Sequence, residues 1–178
     1  MNYTPWQVLV TISLGLAFLL LYIWSAYNSM IRRRNQVKTD FSDIDIQLKR
    51  RSSLIQNLVD LVKDYARHEK ETFENVAKAR AAVDTSKTAG ESARADNMLT
   101  QTLRSLFMVV ENYPKLQASD NYKQLREDLV DTENLIAMYR EDYNRSVQRY
   151  NNLIQTFPNL FVAQLFKFYE EEFFTATV

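Results

Sequence analysis

His68-Glu69 is the first place in this chain to look for chemistry, because His-Glu on a helix with a second histidine four residues on would bind zinc beside a general base. Thr72 stands where that second histidine would be, and His68 is the one histidine in the sequence. Zinc sites draw on several nitrogen or sulfur ligands, which a single imidazole and no cysteine do not supply. A carboxylate-rich iron or manganese site inside a helical bundle would need Glu-x-x-His, and Tyr65 occupies the glutamate's position. The sequence holds neither a Gly-rich phosphate loop nor a serine in a nucleophile elbow. No catalytic, cofactor-binding or metal-binding residue is therefore assigned, no small-molecule substrate is implied, and the chain reads as a non-enzyme.

Two charged residues stand where apolar ones would pack better. Arg51 and Glu69 fall on a seam that is otherwise hydrophobic, and a buried charge without a partner is costly. Either residue is expected to pair with a charge flanking the third helix's seam, such as Glu133 or Arg140, or else to reach out to solvent. Tyr139, Tyr143 and Tyr150, with Asn144 and Asn151 beside them, have the look of a ligand ladder. Tyrosines at this spacing are read instead as core residues whose hydroxyls reach the rim.

The elements that must position these residues are helices. Only two glycines and three prolines occur in 178 residues, too few turn formers for a sheet-rich fold. Seam positions run Val37, Phe41, Ile44, Leu48, Arg51, Ile55, Leu58, Val62, Tyr65, Glu69, Thr72, Val76, Ala79 and Val83, alternating four and three apart as in bundled helices. No proline lies between Trp6 and Tyr113, so this repeat predicts one helix continuing to about Val83, on the order of 100 Å long. Turn formers at Asp84–Gly90 predict a hairpin, followed by a second helix from about Glu91 to Val110 with Met98, Leu99, Leu103, Leu106, Phe107 and Val110 on its apolar face. That helix should end before Pro114, and Ser119 or Asp120 should cap a third. The third helix's seam is Leu125, Leu129, Thr132, Ile136, Tyr139, Tyr143, Ser146, Tyr150, Leu153 and Phe157, stopped by Pro158. Leu160 to Phe174 is expected to form a short, aromatic fourth helix.

At the other end, residues 1–31 carry no charged side chain, and an apolar run within about 6–27 is bracketed by Trp6 and Trp24. At about 1.5 Å per residue the run approaches the ~30 Å hydrocarbon core of a bilayer, so it is read as a single transmembrane helix. A cleaved secretory signal would show a basic leader, a shorter apolar core and a small-residue cleavage site, none of which is seen. Trp6, Trp24, Tyr22 and Tyr27 are the candidate interfacial anchors. Arg32, Arg33, Arg34 and Lys38 follow, which by the positive-inside rule places residues 32–178 in the cytoplasm and the N-terminus outside; the same cluster suits anionic lipid headgroups. The expected organisation is thus all-α: a single span at the inner membrane, continuing into the long stalk helix of an antiparallel bundle of about four helices. Lys plus Arg and Asp plus Glu each total 22, giving no basic surplus for nucleic acid.

Tyr27-Asn28-Ser29-Met30, Ser42-Asp43-Ile44-Asp45-Ile46-Gln47-Leu48-Lys49-Arg50-Arg51 and Leu54-Ile55-Gln56-Asn57-Leu58-Val59 resemble blocks of the LemA family. His68-Glu69-Lys70-Glu71-Thr72, Glu111-Asn112-Tyr113-Pro114-Lys115-Leu116, Thr132-Glu133-Asn134, Tyr143-Asn144, Tyr150-Asn151 and Phe157-Pro158 are similar to further blocks in the same order. The resemblance implies a membrane-anchored, cytosol-facing antiparallel helical bundle and supplies no catalytic motif to carry over.

A second helix of about 30 Å is too short to cover the stalk, and the third is expected to cover only part of it. Val37, Phe41, Ile44 and Leu48 are therefore expected to form an exposed stripe near the membrane that a second copy or a partner would bury. The span, with Ser13, Gly15 and Ala17 but no GxxxG pair, adds weak support for association. For the C-terminal aromatics, the three acids Glu170-Glu171-Glu172 argue against anionic lipid and for a bundle cap or subunit contact. The function read from these features is a non-catalytic, membrane-anchored scaffold that self-assembles and presents an interaction platform. The alternative is a signalling or quality-control adaptor coupling an envelope state to a cytosolic partner or membrane protease. An enzyme with its site inside the bundle ranks last.

Overall fold

The computed structural model describes residues 4–66 and 68–175. The chain is all-α, with no strand among the described residues: α1 Pro5–Lys63, α2 Lys70–Thr85, α3 Ala89–Glu111, α4 Pro114–Gln117, α5 Asp120–Gln155 and α6 Asn159–Leu165. Two compact units share α1 and α5. One comprises the residues up to Val37 with Ser146–Glu171, the other Lys38–Arg145 with Glu172 and the residues after it.

Within the second unit, neighbouring helices run antiparallel. The Arg80 side chain on α2 reaches back to Ser52 and Gln56 on α1, and the Lys63 ammonium sits 5.6 Å from the centre of the Phe73 ring. Phe41 meets Tyr143 at 5.7 Å between ring centres while Arg51 faces Glu133, so α5 returns along α1. Arg140 reaches Asp96 while Arg126 lies over Phe107, which sets α5 antiparallel to α3 as well. The core is the set of positions alternating three and four apart: Ile44, Leu48, Ile55, Leu58 and Val62 on α1, Val76, Ala79 and Val83 on α2, and Leu129, Thr132, Ile136 and Tyr143 on α5 are all buried.

The single helix expected to run to Val83 is instead two. α1 stops at Lys63, where Val62's carbonyl accepts from the amides of Tyr65 and Ala66. No proline or glycine forces the break. A straight continuation would leave Val76, Ala79 and Val83 in water, whereas folding back buries all three against the bundle, and that tertiary gain overrides local helix continuity. Tyr65, expected on the seam, is consequently an exposed residue of this turn.

The α2–α3 connection is tighter than expected. Thr88 caps α3 with a complete capping box: the Glu91 amide donates to Thr88 Oγ1 at 3.2 Å, and Glu91's carboxylate accepts from the Thr88 and Lys87 amides at 3.2 and 2.8 Å. These amides hold the Glu91 carboxyl below its ordinary value. Gly90 thus lies in the first turn of α3 rather than in the loop. α3 ends at Glu111 ahead of Pro114, and Ser119 accepts from the Tyr122 amide at the start of α5.

The C-terminal segment differs most. α6 covers only Asn159–Leu165, and the chain from Phe166 to Thr175 is not helical. Its backbone groups find partners on α5 side chains, which removes the need for helix hydrogen bonds there.

Candidate functional site

Arg51 is fully helical in α1 and 2% exposed, a guanidinium inside the second unit's core. Its Nη1 donates to Asp96 Oδ1 on α3 at 2.8 Å, and its Nη2 lies 3.8 Å from Glu133 Oε2 on α5. Asp96 Oδ2 in turn faces Arg140 Nη1 at 3.7 Å, and the Arg140 guanidinium stands 5.1 Å above the centre of the buried Phe174 ring. α1, α3 and α5 are therefore joined by a chain of alternating charges, Glu133–Arg51–Asp96–Arg140. Burial pushes the Asp96 carboxyl above its ordinary value, while the two guanidiniums pull it back. Arg51 Nε and Nη2 and, one helical turn earlier, Gln47 Oε1 are buried without hydrogen-bond partners, which offsets part of what the ion pairs contribute. Its charges are spent on one another. Nothing in it is poised to move a proton to or from a bound molecule.

Asp96 was not foreseen, and the signal for it is present. Ala89, Ser92, Asp96, Leu99, Leu103, Leu106 and Val110 are all buried on α3 and alternate three and four apart, so Asp96 holds a seam position opposite Arg51's. Taking Met98 as part of that face misplaces it, for Met98 is exposed. Glu69 is not brought into the cluster: it occupies the N-cap of α2, half-buried and without a capping side-chain bond, because the seam it was assigned to ends at the α1–α2 turn.

α5 carries a second arrangement. In the second unit, Asn144 binds both backbone groups of Phe174, accepting from its amide at 2.8 Å and donating to its carbonyl at 3.1 Å. Tyr143 donates to the Glu172 carbonyl at 2.7 Å. In the first unit, Asn151 does the same to Glu171 at 3.0 and 2.9 Å, and Tyr150 donates to the Tyr169 carbonyl at 3.0 Å. Each asparagine amide offers the donor and acceptor that a neighbouring strand would offer, so Tyr-Asn repeated after seven residues becomes a ladder for the chain's own extended C-terminal segment. Both tyrosines are buried, and burial raises the Tyr150 phenol above its ordinary value.

Among the described residues one helix, α1, is long and apolar enough to cross a membrane, and none of its most apolar stretch is buried. Trp6 and Trp24 are exposed on it. Tyr22 and Tyr27 have protein partners: Tyr22 Oη donates to Asn159 Oδ1 at 2.7 Å, and the Tyr27 ring meets Phe166 at 4.9 Å and Phe168 at 5.7 Å. Arg32, Arg33 and Lys38 are exposed, whereas Arg34 is drawn to Glu171, Nε to Oε1 at 3.0 Å. The stripe Val37, Ile44 and Leu48 is buried within the single chain and Phe41 is half-buried against Tyr143. The expectation that it stands open is corrected: α5, at 36 residues, is long enough to cover α1 where α3 is not.

His68 is exposed in the turn before α2, and no three His, Cys, Asp or Glu converge among the described residues. One surface groove is lined by charges of both signs, Lys123, Arg126, Glu127 and Asp131 with Val130, and another carries only the acids Asp60 and Asp64.

The sequence model of the LemA family matches residues 40–178, a stretch that includes the whole charge cluster and both Tyr-Asn pairs. The chain belongs to the LemA family. Magnetosome protein MamQ of Magnetospirillum gryphiswaldense is 26% identical over 201 residues, covering 98% of this chain and 74% of that protein. Magnetosome protein MamQ 2 of Paramagnetospirillum magneticum is 26% identical over 174 residues, 83% of this chain but only 64% of that longer protein. Protein LemA of Metamycoplasma hominis is 26% identical over 153 residues, 84% of this chain and 69% of that one. The family match begins beyond the apolar part of α1, whereas the MamQ alignment takes in nearly the whole LemA-family chain described here, apolar helix included.

Proposed function

We propose that this LemA-family protein is a non-catalytic scaffold, held at the inner membrane by α1 with its N-terminus outside and its bundle in the cytoplasm, that self-assembles and offers its helical faces to other proteins. The observation that carries this reading is the closure of the Arg51–Asp96–Arg140–Glu133 cluster on itself, which leaves the bundle's outward surfaces as what it has to offer. Exposed apolar residues stand on those surfaces; Ile46 and Met138 lie at one level of the α1–α5 pair, and Val130 lies further along α5. The orientation rests on Arg32, Arg33, Arg34 and Lys38 following the apolar run. The test is the mass of the full-length protein in nanodiscs by light scattering corrected for lipid. Discrete assemblies larger than one chain are expected; a monomer at all concentrations refutes self-assembly and favours an adaptor that works through a different partner.

A further inference from the structure

We propose that α6 and the turn after it form a second membrane contact, an aromatic element seated among the lipid headgroups beside the anchor helix. The inference rests on α1 being a membrane anchor and adds a role for the other end of the chain. Depth comes from two contacts within the first unit. Asn159, the first residue of α6, accepts a 2.7 Å hydrogen bond from Tyr22, two positions before Trp24 in the apolar run; Phe166, just past its end, packs on Tyr27. α6 therefore flanks the stretch of α1 where the apolar residues give way to the arginines, the level at which aromatic side chains gather in membrane proteins.

Orientation comes from burial. Val162 and Ala163 face inward, while Phe157, Phe161 and Leu165, each four residues apart, are 75%, 62% and 68% exposed. Phe157 and Phe161 meet edge to face at 5.9 Å, which fuses the stripe into one apolar patch. Such a patch in water invites association, and at this level the adjoining phase is lipid. Lys167 follows two residues after Leu165, exposed, and Arg32 and Arg33 are exposed farther along α1, so exposed cations on both segments are available to phosphate-bearing headgroups.

Glu171, at the centre of the acidic run, does not oppose this placement. Glu171 is bound by Arg34, which lies twelve residues beyond Tyr22 on α1, about 18 Å farther from the membrane interior at 1.5 Å per residue. The phenylalanines sit at the interface while this acid stands off from it, paired.

The chain has no cysteine, so single substitutions Phe161→Cys and Leu165→Cys can carry a nitroxide in the full-length protein, reconstituted in phosphatidylcholine–phosphatidylglycerol nanodiscs. Trp24→Cys serves as the anchor reference and Asp120→Cys, at the fully exposed start of α5, as the water reference. Collision with oxygen relative to a water-soluble nickel chelate should be several-fold higher at 161 and 165 than at 120 and should approach the value at 24. A nickel accessibility at 161 and 165 equal to that at 120 overturns the proposal while leaving the anchor intact. Shielding from both reagents also overturns it, in favour of a second copy covering the stripe. Nickel accessibility at 24 would instead refute the anchor itself.

Discussion

Replacing Asp96 by alanine should destabilise the bundle as much as truncating a large core residue does. Asp96 supplies the one short hydrogen bond to Arg51, whose Nε and Nη2 already lack partners and whose side chain is 2% exposed. In Asp96→Ala the guanidinium stays in the core facing only Glu133 at 3.8 Å, a carboxylate 60% exposed and correspondingly screened. Breaking one side of a buried pair costs about 3–5 kcal/mol. With a urea slope of about 1–3 kcal/mol per molar, the unfolding midpoint should fall by on the order of 1–5 M. Helical circular dichroism is the signal to follow, since both tryptophans, Trp6 and Trp24, lie in the apolar part of α1 and do not report on the bundle. Arg51→Met should cost less, because Asp96 keeps Arg140 at 3.7 Å and, with its pKa already displaced upward, can be neutralised by a proton. The double variant Arg51→Met/Asp96→Leu should recover most of the loss. An Asp96→Ala stability within about 0.5 kcal/mol of the parent, or single effects that simply add in the double variant, would refute a coupled buried pair.

The same carboxylate gives a pH signature. Its native pKa is raised above that of the unfolded chain, so the native state holds a proton that the unfolded state has released; between the ordinary aspartate pKa and the raised one, stability should fall as pH rises, and Asp96→Asn should flatten that slope in pH-dependent urea melts. Asn151→Ala removes both bonds to Glu171 and should cost about 1–3 kcal/mol, with hydrogen exchange at the Glu171 amide accelerated; unchanged protection there would show that the ladder does not hold the segment. Thr88→Ala breaks the capping box and should lower bundle stability by about 1 kcal/mol, read from the urea midpoint.

The helices and their buried faces were legible because burial repeats with the helix period: Ile44, Leu48, Arg51, Ile55, Leu58 and Val62 were all placed on α1's inner face from spacing alone. The α1–α2 turn was not, since Lys63-Asp64-Tyr65-Ala66 contains no breaker and the repeat passes through it without a skip. Only the packing of α2 back onto α1 decides it. The C-terminal segment from Phe166 was misread as helix because its hydrogen-bond partners, Asn144 and Asn151, come from a distant part of the chain that local propensity does not see. For the site, Arg51 as a charge needing a partner was readable; its strongest partner was missed by following bulky apolar residues on α3 rather than strict spacing, which lands on Asp96.

Tyr22 and Arg34 meet partners made 137 residues later, Asn159 and Glu171. At about 5–20 residues per second of translation, the ribosome makes each partner roughly 7–27 s after Tyr22 or Arg34 itself. For that interval the Tyr22–Arg34 face of α1 is without Asn159, Phe166 and Glu171, while α2 and α3 can already pair as a local hairpin. Completion of this unit is therefore a late event in the life of the nascent chain, and a polypeptide released before Asn159 would keep its apolar helix and most of its bundle helices yet never cover that face of α1.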